Sequence, residues 1–113
     1  MTGVTFFERE DGCLTGFEAI GHSGYGEYGS DIVCAAISAL TQAASQGLAE
    51  VAGAPVSSVT DEGAGYLSCV IQPGATHRQL ADAQILLKTL KLALTAISND
   101  YPGTIRIIIR ERR

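Results

Sequence analysis

The strongest structural signal in this 113-residue chain is the segment DIVCAAISALTQAASQGLAEV, residues 31–51. Apolar side chains recur along it at the spacing of one helical face, at Val33, Ile37, Leu40, Ala44, Leu48 and Val51. Ser30 or Asp31 is suited to cap the first turn, and Gly53 with Pro55 ends the pattern. The segment therefore predicts one long helix that buries a single face.

This helix follows one pair of predicted strands along the chain. It is followed by a second pair of strands, a second helix and a final strand. The strand patterns cover residues 4–9, 13–20, 56–60, 66–71 and 104–110. The second helix is predicted over residues 76–98 and opens with a capping-box pattern at Thr76 and Gln79. Leu14 and Phe17 are expected in the core, and the Ile–Arg alternation of the last strand is typical of a sheet edge. The order β-β-α-β-β-α-β predicts an α+β two-layer sandwich, with two helices packed on a mostly antiparallel sheet.

The second predicted helix is apolar around much of its girth, at Ile85, Leu86, Leu87, Leu90, Leu92, Leu94 and Ile97. One face of a sheet would not bury all of these side chains. The surplus therefore predicts a homodimer, in which a second copy covers the apolar residues that the sheet leaves exposed.

Length and composition narrow the class of protein. The chain is long enough for one core, so we predict a single domain over residues 1–113. No apolar run reaches the roughly 18 residues of a membrane span, and the first residues lack the basic and apolar regions of a signal peptide. We therefore expect a cytoplasmic protein with no membrane partner. Three cysteines at unpaired spacings predict free thiols in a reducing compartment, and no metal or other cofactor is expected.

Charge is distributed unevenly along the chain. Residues 10–77 contain eight acidic residues and no Lys or Arg, whereas bases outnumber acids in residues 78–113. Nucleic acid is therefore disfavoured as the main ligand, because neutralising phosphates needs clustered bases. We interpret the C-terminal bases as a solvated edge strand and tail, although they could touch RNA weakly: Arg106, Arg110, Arg112 and Arg113. If the acidic segment forms one surface, it favours a basic partner.

The residues best suited to catalysis lie at the start of the first helix and in the loop before it. Cys34 falls in its first turn, where the partial positive charge of a helix N-terminus stabilises a thiolate. His22 ends the preceding strand, and the short loop between them can fold back at little entropic cost. A thiol beside an imidazole suits nucleophilic catalysis, because the imidazole takes the thiol proton and later protonates the leaving group. Backbone N–H groups at the helix start are expected to hold the developing oxyanion.

A structural interpretation of these residues stays open at this point. Cys34 could be a buried, inert thiol, and His22 a loop histidine that takes part in no chemistry. Cys13 and Cys69 lie within strand patterns, where a packing role is expected. His77, at the start of the second helix, is expected to be solvated.

The loop before the first helix is rich in glycine. It matches G-x-G-x-x-G, a nucleotide-binding pattern, at Gly24, Gly26 and Gly29. Nucleotide binding is disfavoured because the preceding strand belongs to a hairpin and because Glu27 and Asp31 would repel a pyrophosphate. We interpret the glycines as a mobile loop that closes over a substrate. Tyr25 and Tyr28 would then form apolar walls, or they are ordinary loop-packing aromatics.

The run GHSGYGEYGSDIVCAAISAL, residues 21–40, closely resembles the ribosomal-processing cysteine protease Prp family. Its most specific part is the pattern G-H-small followed by G-x-D-I-V-C-A-x-x-S. The resemblance implies a homodimeric α+β endopeptidase of the bacterial cytoplasm. It further implies that the substrate is the twenty-seventh large-subunit ribosomal protein, which loses a short N-terminal extension. The family cuts after a hydrophobic stretch that ends in Phe-Phe and before a small residue.

The resemblance also assigns roles to residues of this sequence. It implies that Cys34 is the nucleophile and His22 the general base, a Cys-His dyad. Asp31 and Ser38 match motif positions expected to support the site. Ser23 stands where we expect Ala in the family, which is a small change beside the dyad.

Two other functions are compatible with these residues. The chain could be a non-catalytic, ribosome-associated module whose loop and acidic face hold a basic peptide. Cys34 could also be a redox-sensing thiol, which would form a mixed disulfide or sulfenic acid without cleaving a peptide. The reactivity of Cys34 separates these functions, since a protease needs a thiolate that alkylates rapidly near neutral pH and depends on His22.

Overall fold

The computed structural model describes residues 1–27 and 31–112. Five strands and two helices follow one another in the predicted order: β1 (Thr2–Glu8), β2 (Leu14–Ile20), α1 (Ile32–Gln46), β3 (Val56–Asp61), β4 (Tyr66–Ile71), α2 (His77–Asp100) and β5 (Ile105–Glu111). A π-helical turn, Gly47–Val51, extends α1. The predicted α+β class is confirmed.

The five strands form one mixed sheet in the order β3-β4-β2-β1-β5. Three neighbouring pairs are antiparallel, and β1 pairs with β5 in parallel. The last strand therefore lies at an edge of the sheet, as its alternating sequence predicted. The first and last strands of the chain lie side by side, which the hairpin signals alone did not indicate.

Both helices pack on one face of this sheet and enclose the core. The largest fully buried side chains come from the strands and from both helices: Val4, Phe6, Phe17, Val33, Leu48, Cys69, Leu87 and Leu94. Leu14 and Phe17 are buried as predicted, and Cys69 has the packing role expected of it. The start of α1 lines one pocket together with residues of β2 and β4, and the candidate site residues lie there.

The predicted apolar face of the first helix ends earlier than its sequence spacing implied. Val51 is 83% exposed, whereas Leu48 is fully buried. The π-helical turn explains this difference, because its wider turn rotates later residues away from the face that residues spaced at 3.6 per turn would share. Thr41 lies on the polar side of the predicted helix but is buried, and its hydroxyl donates a hydrogen bond to the carbonyl of Ile37 at 2.8 Å.

The expectation that no segment is long and apolar enough to cross a membrane was wrong. By length and composition alone, Ile32–Val51 qualifies. Polar residues interrupt it, so it contains no long apolar run, but its many alanines raise the mean hydropathy of the segment. A core helix passes the same test. Val33, Ile37 and Leu48 are buried in the core, so packing against the sheet accounts for the apolar character of this segment.

Candidate active site

The start of α1 is held by the side chain of Asp31. This residue has an extended backbone, and its Oδ1 accepts hydrogen bonds from the N–H groups of Val33 at 2.9 Å and Cys34 at 3.0 Å. Asp is a preferred N-cap residue because its carboxylate satisfies donors that the first helical turn leaves unpaired. The cap therefore fixes the backbone of Cys34 in the first turn.

The second oxygen of Asp31 binds the preceding loop. Oδ2 accepts hydrogen bonds from the hydroxyl of Ser23 at 2.5 Å and from the N–H groups of Tyr25 and Gly26, both at 3.1 Å. Asp31 is only 6% exposed. One buried carboxylate therefore ties the glycine-rich loop to the helix start.

The ionisation of Asp31 follows from these contacts. Burial raises the pKa of this carboxyl, but the hydrogen bonds from Ser23 and from the backbone N–H groups of Cys34, Gly26 and Val33 outweigh burial and hold the pKa well below its usual range. Asp31 is therefore a permanent anion at neutral pH. Its chemistry is to hold the loop and the helix together rather than to exchange protons.

Cys34 is half-buried, and its sulfur contacts the residue that follows His22. The backbone N–H of Ser23 donates to Cys34 Sγ at 3.1 Å, and the thiol lies 3.5 Å from the Ser23 hydroxyl oxygen, to which it donates. The N–H of Ser23 holds the sulfur beside the loop, and the Asp31 cap holds the backbone of Cys34. The partial burial places Cys34 at the edge of the core.

Three N–H groups at the start of α1 already donate hydrogen bonds within the protein. Those of Val33 and Cys34 donate to the Asp31 side chain, and that of Ala35 donates to the Asp31 carbonyl at 3.0 Å. The sequence-based expectation of an oxyanion site did not consider this cap. It stays a prediction, and these three contacts argue against it.

His22 leaves the end of β2 and lies against the turn between β3 and β4. A Cβ built on Gly65 would fall 3.1 Å from Cε1 and 3.2 Å from Nε2 of the His22 ring. Gly65 has a φ of +61°, and the N–H of Gly21 donates to its carbonyl at 3.0 Å. Glycine suits this position twice, because the backbone is left-handed and because the imidazole occupies the space of a side chain.

Cys34 and His22 line the same pocket, whose volume is about 730 Å³. Other predicted site residues border it as well: Gly24, Gly26, Asp31 and Ser38. Its remaining walls come from α1, from the ends of β1 and β2 and from the β3–β4 hairpin, including Ile37, Thr41, Thr60, Glu62 and Leu67. The structure thus brings together the thiol, the imidazole and the supporting positions named from the sequence.

The predicted loop tyrosines have different outcomes. The ring of Tyr25 packs edge-to-face on that of Tyr101, with centroids 5.0 Å apart, which favours the loop-packing alternative. Tyr28 and Gly29 lie outside the described residues. His77 is exposed, as expected.

Sequence reasoning missed the contributions of Ser23 and Gly65. Ser23 was treated as a small replacement beside His22, yet it contacts both Cys34 and Asp31. Gly65 lies between two predicted strands and drew no attention there, although it supports the imidazole. The adjacency of Ser23 to His22 was a signal that we did not use, whereas nothing in the sequence pairs Gly65 with His22.

Comparison with known proteins finds relatives that match nearly the whole chain. A model of the family described as cysteine protease Prp matches residues 1–106. The ribosomal processing cysteine protease Prp of Bacillus subtilis is 27% identical over 108 residues, which cover 95% of this chain and 96% of that protein.

Two solved structures have the same fold. The essential ribosomal processing protease Prp of S. aureus, in complex with a covalently linked product peptide, has a TM-score of 0.84 and 25% identity over 97% of this chain and 100% of that chain. SMU.848 from Streptococcus mutans has a TM-score of 0.80 and 32% identity over 99% and 96% of the two chains. The resemblance seen in residues 21–40 is thereby confirmed: this chain is a cysteine peptidase that belongs to the Prp family.

Proposed function

We propose that Cys34 and His22 are the catalytic dyad of an endopeptidase that removes the N-terminal extension of a large-subunit ribosomal protein, the twenty-seventh. The observation that carries the proposal is that the Cys34 sulfur and the His22 imidazole line one open pocket. The covalently linked product peptide on the S. aureus relative supports a mechanism in which the enzyme forms a bond to its substrate.

The mechanism assigns a proton-transfer role to each member of the dyad. His22 takes the thiol proton, and the thiolate attacks the scissile carbonyl carbon to form a tetrahedral intermediate. The intermediate collapses as the C–N bond breaks, and the imidazolium donates its proton to the leaving amine. Water then attacks the thioester, with His22 as base, and releases the new carboxyl terminus and the free thiol.

Asp31 and Ser38 support the dyad in different ways under this proposal. Asp31 holds the loop that carries His22 and the helix turn that carries Cys34, so it positions both groups. Ser38 lies one helical turn after Cys34, is exposed and borders the pocket. Its hydroxyl is placed to contact a peptide that lies along α1.

The chemistry of the pocket walls supports a peptide with basic and apolar parts. Within the described residues, Asp31 and Glu62 are the acidic side chains that line the pocket, and neither Lys nor Arg lines it. Ala19, Ile37 and Leu67 supply apolar walls. These features are compatible with cleavage after a Phe-Phe stretch in a basic ribosomal protein, and we place the reaction in the cytoplasm, where that substrate is made.

A homodimer is part of the proposal and is supported by α2. Ile85 is 67% exposed and Leu92 is 72% exposed. They are two helical turns apart and therefore share one face of the helix. Burying large apolar side chains of this kind against a second copy would remove them from water.

Cleavage of an extended ribosomal-protein N-terminus, followed by mass spectrometry, tests the proposal. The wild type is expected to make one cut after Phe-Phe, and Cys34→Ala is expected to make none because the nucleophile is gone. Cys13→Ala is the matched control, since Cys13 is also half-buried but lies in the β1–β2 hairpin. A cut by Cys34→Ala, or a loss of cutting by folded Cys13→Ala, would contradict the assignment.

A further inference from the structure

The Ser23 hydroxyl lies between the proposed nucleophile and the buried carboxylate. Ser23 is 3% exposed. Its Oγ donates to Asp31 Oδ2 at 2.5 Å, and it accepts from the Cys34 thiol at 3.5 Å and from the Tyr25 N–H at 3.2 Å. These contacts use the one proton of the hydroxyl and its lone pairs.

The direction of these hydrogen bonds follows from charge. Asp31 is an anion, and a hydroxyl that can reach a carboxylate donates to it in preference to a neutral thiol. The proton of Ser23 therefore lies towards Asp31, and a thiolate could gain it only by breaking the 2.5 Å hydrogen bond to that buried carboxylate. The oxygen presents only lone pairs to Cys34, which attract an S–H group and repel a sulfur anion.

Ser23 thus acts on Cys34 through two groups of opposite effect. Its backbone N–H, 3.1 Å from the sulfur, stabilises the thiolate. Its hydroxyl oxygen, 3.5 Å away, stabilises the thiol. An alanine at this position would keep the first contact and lose the second.

We propose that Ser23 is a positioning residue whose hydroxyl holds Cys34 in its protonated form in the resting enzyme and so sets the pH at which the nucleophile is generated. The inference rests on the proposed role of Cys34 as nucleophile. Under this proposal the Ser23 hydroxyl disfavours formation of the thiolate, an effect that a chain without a hydroxyl at this position would lack.

Ser23→Ala leaves in the protein the other charged and titratable groups of the elements around Cys34. Asp31 belongs to the start of α1, His22 and Glu27 belong to the loop after β2, Glu62 belongs to the β3–β4 turn, and Tyr66 belongs to β4. The Met1 amino group lies beside the loop, 3.8 Å from a Cβ built on Gly24. Asp31 would keep four backbone donors after the substitution, so it stays anchored.

The test is the pH dependence of Cys34 alkylation by iodoacetamide, which needs no substrate. Ser23→Ala is expected to move the midpoint of the profile to lower pH. On the acidic side its rate should exceed that of the wild type by up to about fivefold, the size expected for the loss of one weak hydrogen bond. The plateau should fall by no more than about twofold, because a less basic thiolate is a slightly weaker nucleophile. Ser23→Thr keeps the hydroxyl and should restore the wild-type midpoint. Ser98→Ala removes a half-buried hydroxyl on α2 and should not move it.

The opposite results would overturn the proposal. A purely structural role for Ser23 would lower the plateau or the melting temperature without moving the midpoint. A midpoint that stays in place, or rises, in folded Ser23→Ala therefore contradicts the inference. Cleavage by Cys34→Ala would instead contradict the proposed function, so the two failures are distinguishable.

A measurement on the wild type covers the case in which Ser23→Ala does not fold. Infrared spectra of wild type and Cys34→Ala are recorded at the acidic end of the alkylation profile, where Cys34 is a thiol. Their difference isolates the S–H stretching band of Cys34. We expect the frequency of a hydrogen-bonded thiol. A band at the frequency of a free thiol would refute the contact on which the proposal depends.

Discussion

The two helices of this protein begin in different ways. At the start of α2, Thr76 accepts from the Gln79 N–H at 3.1 Å, and the Gln79 side chain accepts from the Thr76 N–H at 2.9 Å. This capping box is complete within four residues and lies at the surface. At the start of α1, Asp31 is buried and also binds a loop that precedes the helix by several residues.

The difference shows that a helix cap can stabilise only its own helix or can also hold other segments of a candidate site in place. The α2 cap satisfies the donors of its own turn, so its loss should affect stability alone. The α1 cap also holds the loop that leads from His22 to the first turn that carries Cys34, so its loss should affect both stability and reaction rate. Substitutions near the start of α1 can therefore be compared with matched control substitutions near the start of α2.

The largest difference is expected between the two histidines. His22→Ala should lower kcat by roughly 10²- to 10⁴-fold, the usual contribution of a general base. His77→Ala, in the first turn of α2, should leave kcat unchanged because His77 is exposed there. Steady-state cleavage of the ribosomal-protein peptide measures both. Equal effects of the two substitutions would remove His22 from the dyad.

Substitutions at the caps are expected to have smaller effects on kcat and also to change stability. Asp31→Asn should lower kcat by on the order of tenfold to a hundredfold, because a loosened loop and helix start misplace the reacting groups. Thr76→Ala should cost about 1 kcal/mol of stability, as other cap removals do, with kcat unchanged. Chemical denaturation and cleavage rates measure these effects. A fully active Asp31→Asn would show that the loop holds itself in place.

The cap of α1 also predicts how stability depends on pH. The pKa of Asp31 is lower in the folded protein than its value of about 3.9 in an unfolded chain. Its contribution to stability is therefore fully present above the unfolded value and is lost as the pH falls towards the folded one. The stability difference between wild type and Asp31→Asn should be largest near neutral pH and shrink below about pH 4. For Thr76→Ala the difference should not change with pH.

The smallest effect on rate is expected at two glycines with left-handed backbones. Gly65→Ala places a Cβ 3.1 Å from the His22 ring and should lower kcat about three- to tenfold by displacing the imidazole a few tenths of an ångström. Gly74→Ala, in the loop before α2, introduces a Cβ with no neighbour within 4 Å. Both substitutions should cost about 1–2 kcal/mol of stability, since both force a side chain into the left-handed region. A matching loss of kcat in both would contradict the support that Gly65 gives to His22.

Local patterns predicted much of this architecture. The periodic segment over residues 31–51, the capping box at Thr76 and the strand alternation placed every element within a few residues of its observed bounds. These signals are local, because propensity, capping and burial periodicity act over a turn or two of chain. The π-helical turn after Gln46 was not predicted, since it changes the number of residues per turn without changing composition.

The site was predictable in its chemistry but not in its support. Residue types alone left a structural interpretation of Cys34 and His22 open, and the resemblance of residues 21–40 to the Prp family singled them out. The contact of His22 with Gly65 joins segments more than 40 residues apart, and it depends on how β2 pairs with β4. The double role of Ser23 depends on side-chain geometry that sequence spacing does not encode.

The parallel pairing of β1 with β5 has a consequence for the order in which this enzyme is made. Thr2 lies beside Ile105, and Glu8 beside Glu111, so β1 is synthesised long before its second neighbour in the sheet. Among the described residues, those that line the pocket have all been made by Leu67, but the α2 side chains that bury the sheet, such as Leu87 and Leu94, follow later. A ribosome would therefore complete the residues of the candidate site well before the layer that holds them in place, and we expect proteolytic activity only after β5 has been made.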